Sequence, residues 1–70
     1  MTTNFNGYQV EFSDNDIVFS NFITLQVEGR AEYQDGEWLL LRGPKQKDVG
    51  YAETLQDVME WAKNGFEAVE

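Results

Sequence analysis

Tyr8, Val10 and Phe12 alternate with Gln9 and Glu11, the period-two pattern of a strand with one buried face. Residues 1–6 ahead of them read as a short polar lead-in. Ser13-Asp14-Asn15-Asp16 is a run of turn formers, whose short polar side chains bond to their own backbone. Ile17, Phe19, Ile23, Leu25 and Val27 then share one parity, interrupted only by Asn21. That pattern predicts either one long strand with a bulge near Ser20-Asn21 or two strands meeting there. Ala31 and Tyr33 lead into Asp35-Gly36, after which Trp38-Leu39-Leu40-Leu41 resumes the apolar run. Asp-Gly between two such runs predicts a tight hairpin, because both loop positions favour positive φ. A two-residue loop pairs Tyr33 with Trp38 and Ala31 with Leu40, and leaves Leu39 and Leu41 beside Glu32 and Arg30 on the opposite face. A three-residue loop shifts that register by one. In either case the strand is apolar on both faces, which calls for a central position or a covered outer face.

The segment Gly43–Gly50, GPKQKDVG, reads as a loop with glycine at both ends and the chain's one proline inside. One helix is predicted close to residues 54–64. Thr54 is a good N-cap and Asp57, three positions on, completes a capping-box-like pattern. Leu55, Val58, Met59 and Ala62 fall at i, i+3, i+4 and i+7 and form an apolar stripe. Asn64-Gly65 supplies the stop, with Phe66 placed to contact Trp61 across the cap and residues 66–69 able to form a short closing strand. The outcome is an α+β domain over residues 1–70, a small antiparallel sheet of three to five strands with the helix packed on one face. Phe12, Phe19, Ile23, Leu25, Val27, Trp38, Leu40, Leu55, Val58, Met59, Ala62 and Phe66 are the expected core.

Composition narrows the chemistry. The 70 residues hold no Cys and no His, which removes thiol and imidazole nucleophiles and bases and the usual zinc, haem and iron–sulfur ligand sets. No phosphate-cradling glycine loop is present. Asp14, Asp16 and Glu11 could hold a hard cation, but the stretch lacks the glycine and the downstream Glu of a calcium loop, and a solvated turn accounts for it. No apolar run approaches the roughly 20 residues of a membrane span. The expectation is a non-catalytic, cofactor-free cytoplasmic protein. Thirteen acids against five bases give a net charge of -8, which alone would favour disorder. Ten aromatics spread along the whole chain argue for a packed core instead.

The charges are unevenly placed: residues 1–41 balance at -6, residues 42–47 at +3 and residues 48–70 at -5. Glu53, Asp57 and Glu60 follow one side of the predicted helix at spacings that bring neighbours to about 5–6 Å, close to the phosphate step of a nucleic-acid strand. Asp35 and Glu37 at the hairpin tip extend this line if the tip lies nearby. Acids near a helix N-terminus also favour the helix dipole, which requires no function. A second candidate surface is the loop with Arg42, Lys45 and Lys47, together with Tyr51. Three cations in an acidic protein are too few for ordinary nucleic-acid affinity, but they suit an acidic protein partner.

Tyr51-Ala52-Glu53-Thr54-Leu55, the acidic helix and Gly65-Phe66-Glu67 resemble the helix-and-strand unit of a small podophage inhibitor of bacterial RNA polymerase, over about twenty residues. That inhibitor's basic contacts lie on a strand after its helix and are not carried over. In size, acidity and absence of catalytic residues the chain is similar to phage-encoded inhibitors of host defence, anti-CRISPR proteins included. The resemblance implies a stoichiometric binder in the cytoplasm of a bacterial host, one that occupies a basic surface of a nucleic-acid-handling protein or complex. It implies no direct binding to nucleic acid or membrane, and it is compatible with a homodimer. The alternative is a protein–protein interaction module, immunity-type or subunit-like, working through the 42–51 loop and its aromatics.

Overall fold

Turn chemistry sets the architecture. The computed structural model describes residues 1–69, which form six strands, β1 (Thr2–Phe5), β2 (Tyr8–Ser13), β3 (Asp16–Asn21), β4 (Val27–Gln34), β5 (Glu37–Arg42) and β6 (Lys47–Ala52), followed by α1 (Leu55–Lys63). The strands make one antiparallel sheet in sequential order, so every connection is a hairpin. The fold is α+β, with six strands where three to five were expected.

Both extra strands come from segments the periodicity misjudged. Residues 1–6 are not a lead-in. Asn6-Gly7 closes a two-residue turn with φ of 50° and 86°, and Phe5 pairs with Tyr8. Nor is Gly43–Gly50 all loop, since only residues 43–46 turn, and Lys47–Ala52 pairs with β5. The Asp35-Gly36 hairpin has the two-residue register, with Tyr33 opposite Trp38 and Ala31 opposite Leu40, and φ of 52° and 84° at the loop. β5 is an interior strand, and its Leu41 is buried on the face away from Leu40.

The third correction lies between β3 and β4. The strand stops at Asn21, and residues 22–26 form a loop. The register shifts between Phe19 and Ser20, because Phe19 faces Gly29 while Ser20 faces Val27. Asn21 Oδ1 accepts from the Ile23 and Thr24 amides at 2.8 and 2.9 Å, and the Asn21 carbonyl accepts from Leu25 N–H at 2.8 Å. Local bonding to Asn21 thus wins over the strand parity. Ile23 and Leu25, expected in the core, are 88% and 61% exposed. Leu25 sits at φ 63°, a left-handed conformation that leucine disfavours and asparagine tolerates. Leu25→Asn is expected to stabilise the fold by up to about 1 kcal/mol, read as a higher urea midpoint. A lower midpoint would mean that the Leu25 side chain contributes packing.

The core lies between the sheet and α1. Val10, Ile17, Phe19, Ala31, Leu40 and Ala52 come from the strands, and Val58, Trp61, Ala62 and Phe66 from the helix and its exit. The buried helix positions are Val58, Trp61 and Ala62, so the stripe is rotated from the expected one and Leu55 is 47% exposed. Trp61, the bulkiest apolar side chain on the helix, decides that rotation. Its Nε1 donates to the Glu67 carbonyl at 2.9 Å, satisfying the one polar atom its burial would strand. The N-cap is as predicted, with Asp57 N–H donating to Thr54 Oγ1 at 3.1 Å. Phe66 meets Trp61 edge-on at 4.9 Å between centroids. Residues 66–69 form no strand, although Val69 N–H donates to the Val49 carbonyl at 2.7 Å.

Candidate functional site: the acidic end of the sheet

In a sequential meander, alternate turns share one end of the sheet. The Asp14-Asn15 turn, the Asp35-Gly36 turn and the step from β6 into α1 lie at the same end. Trp38 pairs with Ala52, so Glu37 and Glu53 each stand one residue beyond a paired position, on neighbouring strands spaced about 4.8 Å apart. Asp57 follows in the first turn of α1. Asp14, Asp35, Glu37, Glu53 and Asp57 are all exposed. The hairpin tip therefore does lie beside the start of the helix. The N-terminal ammonium lies close to this end, donating to the Phe12 carbonyl at 3.2 Å.

Asp57 and Glu60, neighbours on α1, border different depressions. Asp57 lines a depression of about 260 Å³ over the C-terminal segment with Trp61, Asn64 and Glu67. Glu60 opens instead onto one of about 160 Å³ with Phe5, Gln56, Met59 and Lys63.

Inboard of the acidic end, Asp16 and Glu32 are register partners on β3 and β4, a like-charge pair that alone would be destabilising. Arg30 spans both. Its Nε and Nη2 donate to Asp16 Oδ1 and Oδ2 at 2.8 and 2.9 Å, and Glu32 Oε1 lies 3.4 Å from Nε. The hydrogen bond to Asp16 holds the guanidinium above the ordinary arginine value. A raised base contributes its stability throughout the neutral range and loses it only at strongly alkaline pH. Arg30→Met is expected to cost about 1 kcal/mol, part of it regained in high salt as the two carboxylates are screened. An unchanged urea midpoint would show the bridge to be energetically idle.

The alternative surface is not assembled. Arg42 pairs with Lys47 at the β5–β6 turn, while Tyr51 pairs with Leu39 near the other end of β6. Four residues of strand separate Lys47 from Tyr51, about 13 Å. The register also sets Tyr51 and Leu39 on the face opposite Leu40 and Arg42. Tyr51 is 54% exposed and lies on the open face of the sheet, away from the helix. Trp61 is buried.

One further feature was not legible. Phe22, Ile23 and Leu25 project from the β3–β4 loop, at the end of the sheet opposite the acids. The strand parity that concealed them gave no sign of it; Asn21 and the turn-tolerant residues after it were the available signal. Among the described residues, no three metal-ligating side chains converge, and no helix is long and apolar enough to cross a membrane. No protein family, curated protein or solved structure matches the chain.

Proposed function

We propose that this protein is a non-catalytic binder that sets its acidic end against a basic, nucleic-acid-contacting surface of another protein or complex and keeps nucleic acid off it. This is the mode of action of the phage-encoded inhibitors, anti-CRISPR proteins among them, that its size and charge resemble. A bacterial cytoplasm is the setting that fits that reading. The supporting observation is the register at Trp38–Ala52, which brings the exposed acids of two separate connections, the hairpin tip and the helix start, to one end of neighbouring strands. Such a cluster, on a molecule of net charge -8, repels polyanions and is steered towards clefts rich in Lys and Arg. The 42–51 surface is the weaker reading, since its cations and its tyrosine lie on different faces.

The experiment is a paired pull-down from bacterial lysate with wild type and the Asp35→Asn, Glu37→Gln, Glu53→Gln, Asp57→Asn variant as baits. A nucleic-acid-handling protein should be retained by wild type, lost with the variant and displaced by added nucleic acid. If both baits retain the same proteins, the acidic end is not the binding surface.

A further inference from the structure

An open sheet leaves two edges, and this one protects only one of them. On β6, Lys47 and Asp48 put charges on the edge, and the register shift at Leu40/Leu41 leaves Val49 as a bulge. The Val49 carbonyl is taken by Val69 N–H. Charges, bulges and covering segments are the usual defences against edge-to-edge pairing. β1, four residues long, has no charged side chain, no bulge and, among the described residues, no segment bonded along its outer edge; its one charge, the terminal ammonium, is bonded inward to Phe12. Residues 1–10 contain no charged side chain and no proline in a chain that is 26% charged, and β1 pairs with β2 without a register shift.

The free groups on that edge can be named. Met1 and Phe12 form a doubly bonded pair, with Phe12 N–H donating to Met1 O at 2.8 Å and Met1 N to Phe12 O at 3.2 Å. Bonded and non-bonded pairs alternate in an antiparallel ladder, so Thr3 and Phe5 also turn their backbone groups inward to β2. Thr2 and Asn4 turn theirs outward.

We infer that this edge is the contact between two copies of the chain, which join β1 to β1 in antiparallel fashion about a two-fold axis at Thr3. That register makes Thr2 and Asn4 of one copy face Asn4 and Thr2 of the other, and all four outward N–H groups donate to outward carbonyls. Only a register in which outward groups meet outward groups does this, and the short strand leaves this one centred.

Two observations fit the same axis. Met1, 90% exposed, falls opposite Phe5 of the second copy and on the same face, next to the shallow depression formed by Phe5 and Met59. The rim of that depression carries one acid, Glu60, and one base, Lys63, so two rims meet without net repulsion. The inference is independent of the proposed function, since the acidic ends remain free at opposite corners of the dimer.

The test uses the protein alone, by sedimentation equilibrium up to about 200 µM, because dimer formation follows mass action. Wild type is expected to sediment as a dimer. Thr3→Glu and Thr3→Lys each place like charges at the axis and are expected to weaken association about 100-fold. Mixed in equal amounts, the two variants should recover a heterodimer, which shows that both are folded and that Thr3 meets Thr3. Asn4→Pro, which removes two of the four donors while leaving the inward ladder intact, should also give a monomer. A wild type that stays monomeric throughout, a dimer indifferent to charge at Thr3, or an equal mixture that stays monomeric would each overturn the inference.

Discussion

Phe66→Ala should remove about half of the folding stability of this protein. The ring is 3% exposed and meets Tyr8, Phe19 and Trp61 edge-on, at centroid distances of 5.0, 5.5 and 4.9 Å. Its remaining side lies on Gly29, where an added Cβ would fall within the ring's van der Waals envelope. Truncating a buried Phe costs about 3–5 kcal/mol, and a domain of this length has roughly 4–10 kcal/mol in all. Collapse cannot refill the space, because its floor is a glycine and its walls are rings held by separate elements. Far-UV circular dichroism and a urea titration measure the loss. A reciprocal experiment tests the fit itself. Gly29→Ala should cost about 2–3 kcal/mol by overpacking, and Gly29→Ala combined with Phe66→Leu should lose at least about 1 kcal/mol less than the sum of the single changes. Strict additivity would show that the close approach of Phe66 to Gly29 does not set the stability of this core.

Neutralising Asp35, Glu37, Glu53 and Asp57 together should slow association with the partner protein about 10- to 100-fold at low salt, an effect that fades as salt is raised. The same variant should melt a few degrees higher than wild type, on the order of the shift that small free-energy changes produce in a domain of this size. These four carboxylates are exposed and have no side-chain cation among their hydrogen-bond and ion-pair partners. Folding therefore gathers like charges that the unfolded chain keeps apart. Loss of the Asp57 interaction with the helix N-terminus opposes the gain only in part, because Thr54 still caps the helix. Opposite signs for stability and association are what a surface kept acidic for binding would show. An unchanged association rate removes the acidic-end mechanism. A lower melting temperature would mean that these acids stabilise the fold, and that their clustering needs no partner to explain it.

What was legible in the sequence was mostly local. Asp35-Gly36 announced its hairpin and register, because few residues accept two successive positive φ values. Thr54, Asp57 and Gly65 announced the helix ends for the same kind of reason: one side chain and one backbone conformation decide them. Asn6-Gly7 carries an equally strong signal, and β1 exists because that turn folds residues 2–5 back on β2. The loop at 22–26 was misjudged differently. Its residues keep strand parity, so periodicity favoured burial, while Asn21 gathers the backbone amides of Ile23 and Thr24 on its side chain and ends the strand.

The candidate site was legible as residues and not as a place. Glu53 and Asp57 could be put on a helix start and Asp35 and Glu37 on a hairpin tip, but nothing in the chain places one beside the other. That depends on the Trp38–Ala52 pairing, a contact between positions fourteen apart that exists only once β5 and β6 have zipped. The same long-range register separated Tyr51 from Lys47. The sequence by itself determined the class of fold, the charge, the helix and the sharpest turn, since these follow from backbone preferences and composition within a few residues. The tertiary structure decided which acids share an end, which aromatics are buried and which sheet edge stays open, since these follow from pairings between distant segments that no local preference encodes.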